Sequence, residues 1–279
     1  MMADFLLRIG DPNYPKSLLD LNNPPQKLYC RGNLELLRKP AVAIVGTRNC
    51  TRYGVICGQN ISKCAVENGF AVVSGLAGGI DTSAHKGGIE ATIAVLGNGL
   101  DVYYPISNKN LQEQIGREGL LITEYPNNFH AENWTFPARN RIVAALSNAV
   151  IAVEADIRSG TMITVEIAAE IHRDIYAVPG SILSNASRGT NKLIRDNKAK
   201  IFDDADAFFG GHIKKKTKQI EPFTFDEQKI IDVLQSDEVH FDELVEKTDF
   251  GVAVLSNLLT TMELKDLIEK LPGNLYVLK

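Results

Sequence analysis

The tripeptide Gly46-Thr47-Arg48 is the first place in the chain where residue types and order suggest chemistry. It follows the apolar run Ala41-Val42-Ala43-Ile44-Val45 and precedes a helical pattern. Glycine permits a sharp turn, and Arg48 would then stand at a helix N-terminus, whose free N–H groups carry partial positive charge. An arginine beside a helix N-terminus is suited to bind an anion. The alternative is that Arg48 pairs with a neighbouring carboxylate.

A glycine-rich segment, residues 74–88, follows the second apolar run. It contains Ser74, Gly75, Gly78, Gly79 and Lys86, and its backbone N–H groups could cradle a phosphate. The segment matches neither the Walker A spacing nor G-x-G-x-x-G, which argues against nucleotide-driven motor and dehydrogenase chemistry. Asp81 and His85, which lie in the same segment, are predicted to form a helix cap and a packing contact rather than a catalytic pair.

Two further predicted helix starts carry polar groups. Phe136-Pro137-Ala138-Arg139-Asn140-Arg141 opens a helix that should run to about Leu146, and Ser159-Gly160-Thr161 opens the next one. Two arginines in the first turn of a helix are unfavourable, because the helix N-terminus already carries partial positive charge. We therefore expect a bound anion to offset the charges of Arg139 and Arg141. An ion pair with Glu124 or Glu154 is the alternative.

The elements that must position these groups are short apolar runs alternating with helical patterns between residues 40 and 209. The runs are continuous rather than alternating, which predicts strands buried on both faces. Their sequences are Ala41–Val45, Ala71–Val73, Thr92–Leu96, Leu120–Ile122, Ala149–Val153 and Ile175–Val178. The fold class is therefore α/β, an extended Rossmann-like domain with a mostly parallel sheet. Ligands of such sheets bind beyond the carboxyl ends of the strands, where all the polar segments above fall.

The rest of the chain divides into three predicted regions. Residues 1–39 are a turn-rich leader whose Leu18, Leu21, Leu28 and Tyr29 should cover the main domain. Residues 210–222 contain a run of lysines and are interpreted as a flexible basic linker. Residues 223–279 read as three helices and a hairpin, with Asp226 as a helix cap, which is a winged-helix pattern.

Composition limits the class of protein. The 279 residues carry a formal net charge of −4, so a nucleic-acid site would have to be a local basic patch. Cys30, Cys50, Cys57 and Cys64 form no C-x-x-C pair and are expected to be free thiols in the cytoplasm. No signal peptide or membrane span is expected, and no metal site or cofactor.

A row of helix starts with arginines along one sheet edge suits a polyanion better than a single mononucleotide. Tyr103, Tyr104 and Phe129 would add aromatic faces that could stack bases, although lid packing is an equal alternative for each of them.

The chain resembles the DprA/Smf family of bacterial DNA-processing proteins. The resemblance rests on Ala43–Arg48, Ser74–Asp81, Phe136–Arg141, Ser159–Thr164 and Arg173–Ser181 and covers nearly the whole chain. It implies an extended Rossmann-like fold, single-stranded DNA binding rather than catalysis, a homodimer, and delivery of DNA to the recombinase RecA in natural transformation. Of the site residues, it assigns DNA contact to Arg48.

The argument from the sheet edge extends the predicted DNA contacts beyond Arg48. The full predicted set is Gly46, Thr47, Arg48, Ser74, Gly75, Gly78, Gly79, Lys86, Arg139, Asn140, Arg141, Ser159, Gly160 and Thr161.

Two other functions compete with this interpretation. Residues 158–166 loosely resemble the catalytic segment of lysine-decarboxylase-like (LOG) nucleotide phosphoribohydrolases, with Glu166 near the catalytic position but without the double glycine. The winged helix could instead act as a duplex-DNA regulator. Its third helix offers Ser256, Asn257 and Thr260 but no basic side chain before Lys265, so protein contact is the expected use.

Overall fold

The computed structural model describes residues 4–210, 223–234, 238–265 and 267–278. The chain divides into two compact units, residues 1–214 and residues 215–279. The predicted linker of residues 210–222 lies outside the described residues, apart from Gly210.

The first unit is built on one nine-stranded sheet with the order β1-β2-β6-β5-β4-β3-β7-β8-β9. The strands are β1 Asp4–Arg8, β2 Lys27–Gly32, β3 Ala41–Val45, β4 Ala71–Ser74, β5 Thr92–Val95, β6 Leu120–Thr123, β7 Ala149–Ala152, β8 Asp174–Ala177 and β9 Lys200–Ile201. All neighbours from β6 to β9 pair in parallel, whereas β1 and β2 add an antiparallel edge. The six apolar runs are thus confirmed as strands, in a mostly parallel Rossmann-like sheet.

In the described part of the first unit, seven α-helices cover both faces of this sheet. They are α1 Arg52–Glu67, α2 Ile80–Gly87, α3 Lys109–Glu118, α4 Thr135–Ala145, α5 Thr161–Glu170, α6 Arg188–Arg195 and α7 Ala205–Gly210. Alternate residues of β3 enter different cores: Ala43 and Val45 join α4 and α5 on one face, and Val42 and Ile44 join α1 and α2 on the other. This two-sided burial is why the strands read as continuous apolar runs.

The leader of residues 1–39 is more regular than its turn-rich sequence predicts. Leu18, Leu21 and Leu28 are buried in the core as expected, but the same segment also supplies β1 and β2. β1 has only one buried residue, Leu7, so it lacks the continuous apolar signal of a central strand. The Asn-Pro and Pro-Pro turns lie between the two strands rather than replacing them.

The second unit has the predicted three helices and hairpin. These are α8 Phe225–Leu234, α9 Phe241–Thr248, α10 Val252–Leu264, β11 Ile268–Leu271 and β12 Leu275–Leu278, and β10 Val239–His240 pairs with β12. The predicted cap at Asp226 is wrong: Thr224 Oγ1 accepts from the Glu227 N–H (3.2 Å), and Glu227 Oε2 accepts from the Thr224 N–H (2.9 Å). This reciprocal pair is a capping box.

Each unit has its own hydrophobic core. The cores of the first unit contain no residue beyond Phe209, and that of the second unit runs from Ile230 to Leu278. Among the residues that the structure describes, each unit therefore has a core made of its own side chains.

The strand order reverses between β3 and β7, which are neighbours in the sheet although β4, β5 and β6 lie between them in sequence. At such a switch point the loops that leave two adjacent strands diverge to opposite faces and open a crevice. The crevice lies beyond the carboxyl ends of β3 and β7. Separately, no helix in the described residues is long and apolar enough to span a bilayer.

Candidate functional site: a groove at the strand switch point

An open groove of about 470 Å³ occupies the switch-point crevice. Five segments build its walls: the β3–α1 loop, the β4–α2 loop with Asp81, Tyr104 after β5, residues 133–143 at and within α4, and residues 159–164 at the start of α5. Nine of the fourteen predicted contact residues line it. They are Gly46, Thr47, Arg48, Gly75, Arg139, Asn140, Ser159, Gly160 and Thr161.

The two glycine-bearing loops pack backbone against backbone. Gly79 has φ +75°, and a Cβ there would lie 2.3 Å from the Thr47 carbonyl oxygen. The same oxygen accepts from the Ile80 N–H (3.2 Å). Gly79 therefore shapes the groove by close approach of the two loops rather than by holding a phosphate.

The α1 N-terminus is occupied by a side chain of the protein itself. Glu154, which is buried after β7, accepts from the Thr51 N–H (2.8 Å) and from Thr51 Oγ1 (2.6 Å). Its carbonyl accepts from the Thr47 N–H (2.7 Å). Thr51 Oγ1 in turn accepts from the Gly54 N–H (3.2 Å), so two N–H groups at this helix start are bonded within the protein. The anion site expected at this helix start stays a prediction.

Arg48 is the exposed cation of the groove. No carboxylate pairs with it among the described residues, so the alternative of a neighbouring ion pair is not found. Its guanidinium lies 5.4 Å from the ring centroid of Phe136, which lies 5.0 Å from that of Tyr104. The arginine is thus held against an aromatic pair with its hydrogen-bond donors available to a ligand.

Arg139 is a buried structural cation. Its guanidinium Nη1 donates to the carbonyls of Gly75 and Val95, at the ends of β4 and β5, and it is 4% exposed. The nearby Asp81 carboxylate accepts from the N–H groups of Gly75 (3.2 Å) and Ala77 (3.3 Å). Burial lowers the pKa of Arg139 and raises that of Asp81, and each charge partly offsets this effect on the other.

Arg141 forms the ion pair that was the alternative to an anion site. Its Nη2 lies 2.7 and 2.8 Å from the two carboxylate oxygens of Glu124. The argument from the helix dipole fails, because α4 begins at Thr135 and both arginines lie beyond its first turn. Pro137 fits in the first turn of α4, because the N–H groups of a first turn have no acceptor within the helix and proline lacks only that N–H.

The start of α5 is as predicted. Gly160 precedes α5 and is exposed, and Ser159 Oγ accepts from the Thr161 N–H (3.2 Å) while donating to Thr161 Oγ1 (2.9 Å). Ile163 and Thr164 also line the groove. Sequence reasoning missed these two residues, although the one-turn spacing from Gly160 would have placed them on the same helix face.

Five predicted residues do not line the groove: Ser74, Gly78, Gly79, Lys86 and Arg141. Ser74 is buried and donates to the Ile44 carbonyl (2.7 Å), and Lys86 is exposed in the last turn of α2. Glu166 lies outside the groove as well, in a separate cavity of about 460 Å³ between α5 and α6.

Asp81 and His85 both bond to backbone N–H groups of the β4–α2 loop, and no side-chain cap is found at the start of α2, where a cap was predicted. Asp81 serves the loop N–H groups described above, while His85 Nε2 accepts from the Leu76 N–H (3.2 Å) and Nδ1 lies 2.6 Å from Thr92 Oγ1. Within the described ranges, no group of three or more His, Cys, Asp or Glu residues is arranged to hold a metal ion.

The fold and groove define an extended Rossmann-like protein with a cationic site at its switch point and a winged helix in a second unit. The family profile described as DNA recombination-mediator protein A matches residues 5–211, and that of the DprA winged helix domain matches residues 214–274. The chain belongs to the DprA/Smf family.

Curated relatives agree with this assignment. DNA processing protein DprA of Streptococcus pneumoniae is 45% identical over 191 residues, which are 67% of this chain and 67% of that protein. The Bacillus subtilis DprA is 36% identical over 77% of this chain and 73% of its own length. Protein Smf of Synechocystis is 43% identical, and the match spans 50% of its length.

Two solved structures share the fold. The S. pneumoniae DprA structure has a TM-score of 0.70 at 41% identity and covers 77% of this chain and 75% of its own. Helicobacter pylori DprA, whose structure concerns its single-stranded DNA binding mode, has a TM-score of 0.69 at 35% identity and covers 75% of this chain and 94% of its own.

The buried imidazole of His85 predicts a loss of stability in mild acid. Burial, with the charge of Arg139, lowers its pKa from 6.5 to about 3. Below pH 6.5 the unfolded chain takes up a proton that the folded protein does not, so stability falls as the pH drops towards 3, by up to about 1.4 kcal/mol per pH unit. Urea unfolding between pH 7 and about pH 5, above the range in which ordinary carboxylates titrate, measures this slope.

The matched variants are His85→Gln, which removes the titrating group, and His130→Gln on the exposed β6–α4 loop. We expect the slope to flatten in the first variant and to persist in the second. An unchanged slope in a folded His85→Gln protein would show that His85 does not cause it.

Proposed function

We propose that this protein binds single-stranded DNA in the switch-point groove and acts in the cytoplasm in the processing of DNA during natural transformation. The observation that carries the proposal is Arg48, an exposed arginine with no carboxylate partner among the described residues, held on an aromatic pair in an open groove. Membership of the DprA/Smf family and similarity to the H. pylori protein support it.

The groove suits a strand of alternating phosphates and bases. Arg48 offers a planar set of donors to a phosphate, and Asn140 of α4 and Ser159, just before α5, add polar groups. Tyr104, which is 46% exposed, and the half-buried Phe136 provide ring faces within the same groove. Charged contacts to phosphates together with aromatic contacts to bases are how proteins hold single strands without reading their sequence.

Binding rather than catalysis is the function these contacts favour. The groove's buried ionisable groups, Asp81 and Arg139, are engaged with backbone groups of the loops and strand ends. Glu166, the candidate residue for nucleotide hydrolysis, lines the cavity between α5 and α6 and is not among the residues that line the groove.

Arg48→Ala is expected to weaken single-strand affinity by about 1–3 kcal/mol, because a charge-assisted contact to phosphate is lost. Fluorescence anisotropy of a labelled oligonucleotide measures the change, with duplex DNA of equal length as competitor. Wild-type affinity should fall as the salt concentration rises, and duplex should compete poorly.

The matched control is Arg117→Ala, at the exposed C-terminal end of α3 just before β6 begins, at the opposite edge of the sheet. We expect it to bind as wild type does. Equal affinity of the folded Arg48→Ala protein would remove Arg48 from the site, and no wild-type binding at low salt would refute the proposed function.

We further propose that the protein is a homodimer that delivers the strand to RecA and that its winged helix contacts protein. Family membership motivates the first two parts. The third rests on α10, which has no Lys or Arg between Val252 and Leu264. Ser256, Asn257 and Thr260 are exposed on it, and uncharged side chains make poor phosphate contacts.

Removal of the residues after Gly211 should leave single-strand affinity unchanged, because the first unit has its own cores. The full chain, but not its Arg48→Ala variant, should speed RecA filament formation on strands coated with single-strand-binding protein. Sedimentation equilibrium should give twice the chain mass. Loss of most affinity on truncation would overturn the role of the winged helix in protein contact. No effect on RecA would overturn delivery of the strand to RecA, and the mass of a single chain would overturn the homodimer.

A further inference from the structure

Trp134 is an exposed aromatic side chain at the rim of the groove, and it is the only tryptophan of the chain. Its relative exposure is 54%, large for a side chain that would gain by burial. It occupies the N-cap position of α4 without a side-chain cap bond, and both Asn133 before it and Phe136 after it line the groove. Trp134 is therefore next to the α4 wall of the groove.

The indole is fixed in place by its neighbours. Its Nε1 donates to Glu132 Oε2 (2.6 Å), which satisfies the one polar group of the ring. The ring stands nearly perpendicular to Tyr125 (centroids 6.0 Å apart, 78°) and to Phe129 (6.4 Å, 72°). Tyr125 and Phe129 are themselves stacked, 4.5 Å apart at 13°.

A pre-oriented aromatic ring with much of its surface in solvent loses little conformational freedom when a flat ligand stacks on it. Because its N–H is already bonded to Glu132, the remaining interaction of the indole is through its apolar surface. The negative charge of Glu132 disfavours a phosphate at this point but not the face of a neutral base. The chemistry at Trp134 thus complements that at Arg48, where charge favours the phosphate.

We propose that Trp134, held by Glu132, Tyr125 and Phe129, stacks on a base of the bound strand and extends the binding track beyond the groove. The inference rests on the proposed function, because the strand must first occupy the groove. Its ligand is a nucleobase, of any sequence, since every base has a flat π-face.

The single tryptophan makes the contact directly observable. Wild-type protein is titrated with an oligothymidylate while tryptophan emission and the anisotropy of the labelled strand are followed together. We expect the emission to be quenched and to saturate with the anisotropy. Inorganic polyphosphate, which has the charges but no bases, should compete for the groove without quenching.

The two readouts separate this inference from the proposed function. Anisotropy that rises while tryptophan emission stays unchanged would overturn the stacking of Trp134 and leave the groove as the DNA site. Quenching by polyphosphate equal to that by DNA would also overturn it. A strand that does not bind at all would refute the proposed function and this inference with it.

Substitutions of Trp134 measure how much its stacking contributes to single-strand affinity. Trp134→Ala should weaken single-strand binding about 5- to 150-fold, the fold-change that corresponds to the loss of one base–aromatic stack, whereas Trp134→Phe should retain most of the affinity. Leu19→Ala is the matched control, because Leu19 is also an exposed apolar side chain (51%). It lies far from the groove: its neighbour Asp20 forms an ion pair with Arg173, the residue before β8, at the opposite edge of the sheet. Unchanged affinity of a folded Trp134→Ala protein would overturn the stacking of Trp134 on the strand.

Discussion

The groove depends on one buried carboxylate. Glu154 follows β7, yet its side chain caps α1 and its carbonyl accepts from the loop after β3. These bonds close the seam between the two strands at which the sheet order reverses. A carboxylate buried at 1% exposure is tolerated because it is bonded to the Thr51 N–H and hydroxyl at the positive end of a helix. The N–H groups of Thr51 and Gly54 at the start of α1 are thus bonded within the protein, and Arg48 is the exposed cationic group that the loop presents to a ligand.

Segregation of charge lets an acidic protein bind a polyanion. The chain carries −4 overall, but residues 223–279 contain twelve acidic residues and five lysines, and residues 1–222 contain 25 basic and 22 acidic residues. The unit with the groove, residues 1–214, has 22 basic and 21 acidic residues and is nearly neutral, so the excess negative charge lies in the second unit. Inside the groove unit, Arg139 and Arg141 are engaged with carbonyls and with Glu124, which leaves a narrow cationic site rather than a basic face. Such a site favours local contact with phosphates over long-range attraction.

The central strands of the sheet are predictable from the sequence, because a strand buried on both faces consists of consecutive apolar residues. β1 and β9 lack that signal, since β1 buries one residue and β9 has two exposed residues, and both were missed. The three arginines of the candidate site could not be told apart from local pattern. Arg48 is exposed, Arg139 is buried and Arg141 is paired because of residues distant in the sequence: Gly75, Val95 and Glu124. Likewise, no local motif shows that Glu154 caps a helix more than one hundred residues earlier.

Hydrogen exchange of the full chain, with and without a single-stranded oligonucleotide, tests the location of the DNA site most directly. Slower exchange is expected for backbone amides at residues 46–49, 133–140 and 159–164, the segments that surround the groove. Slower exchange confined to α10, or to the cavity between α5 and α6, would place the DNA elsewhere and contradict the assignment of the switch-point groove as the binding site.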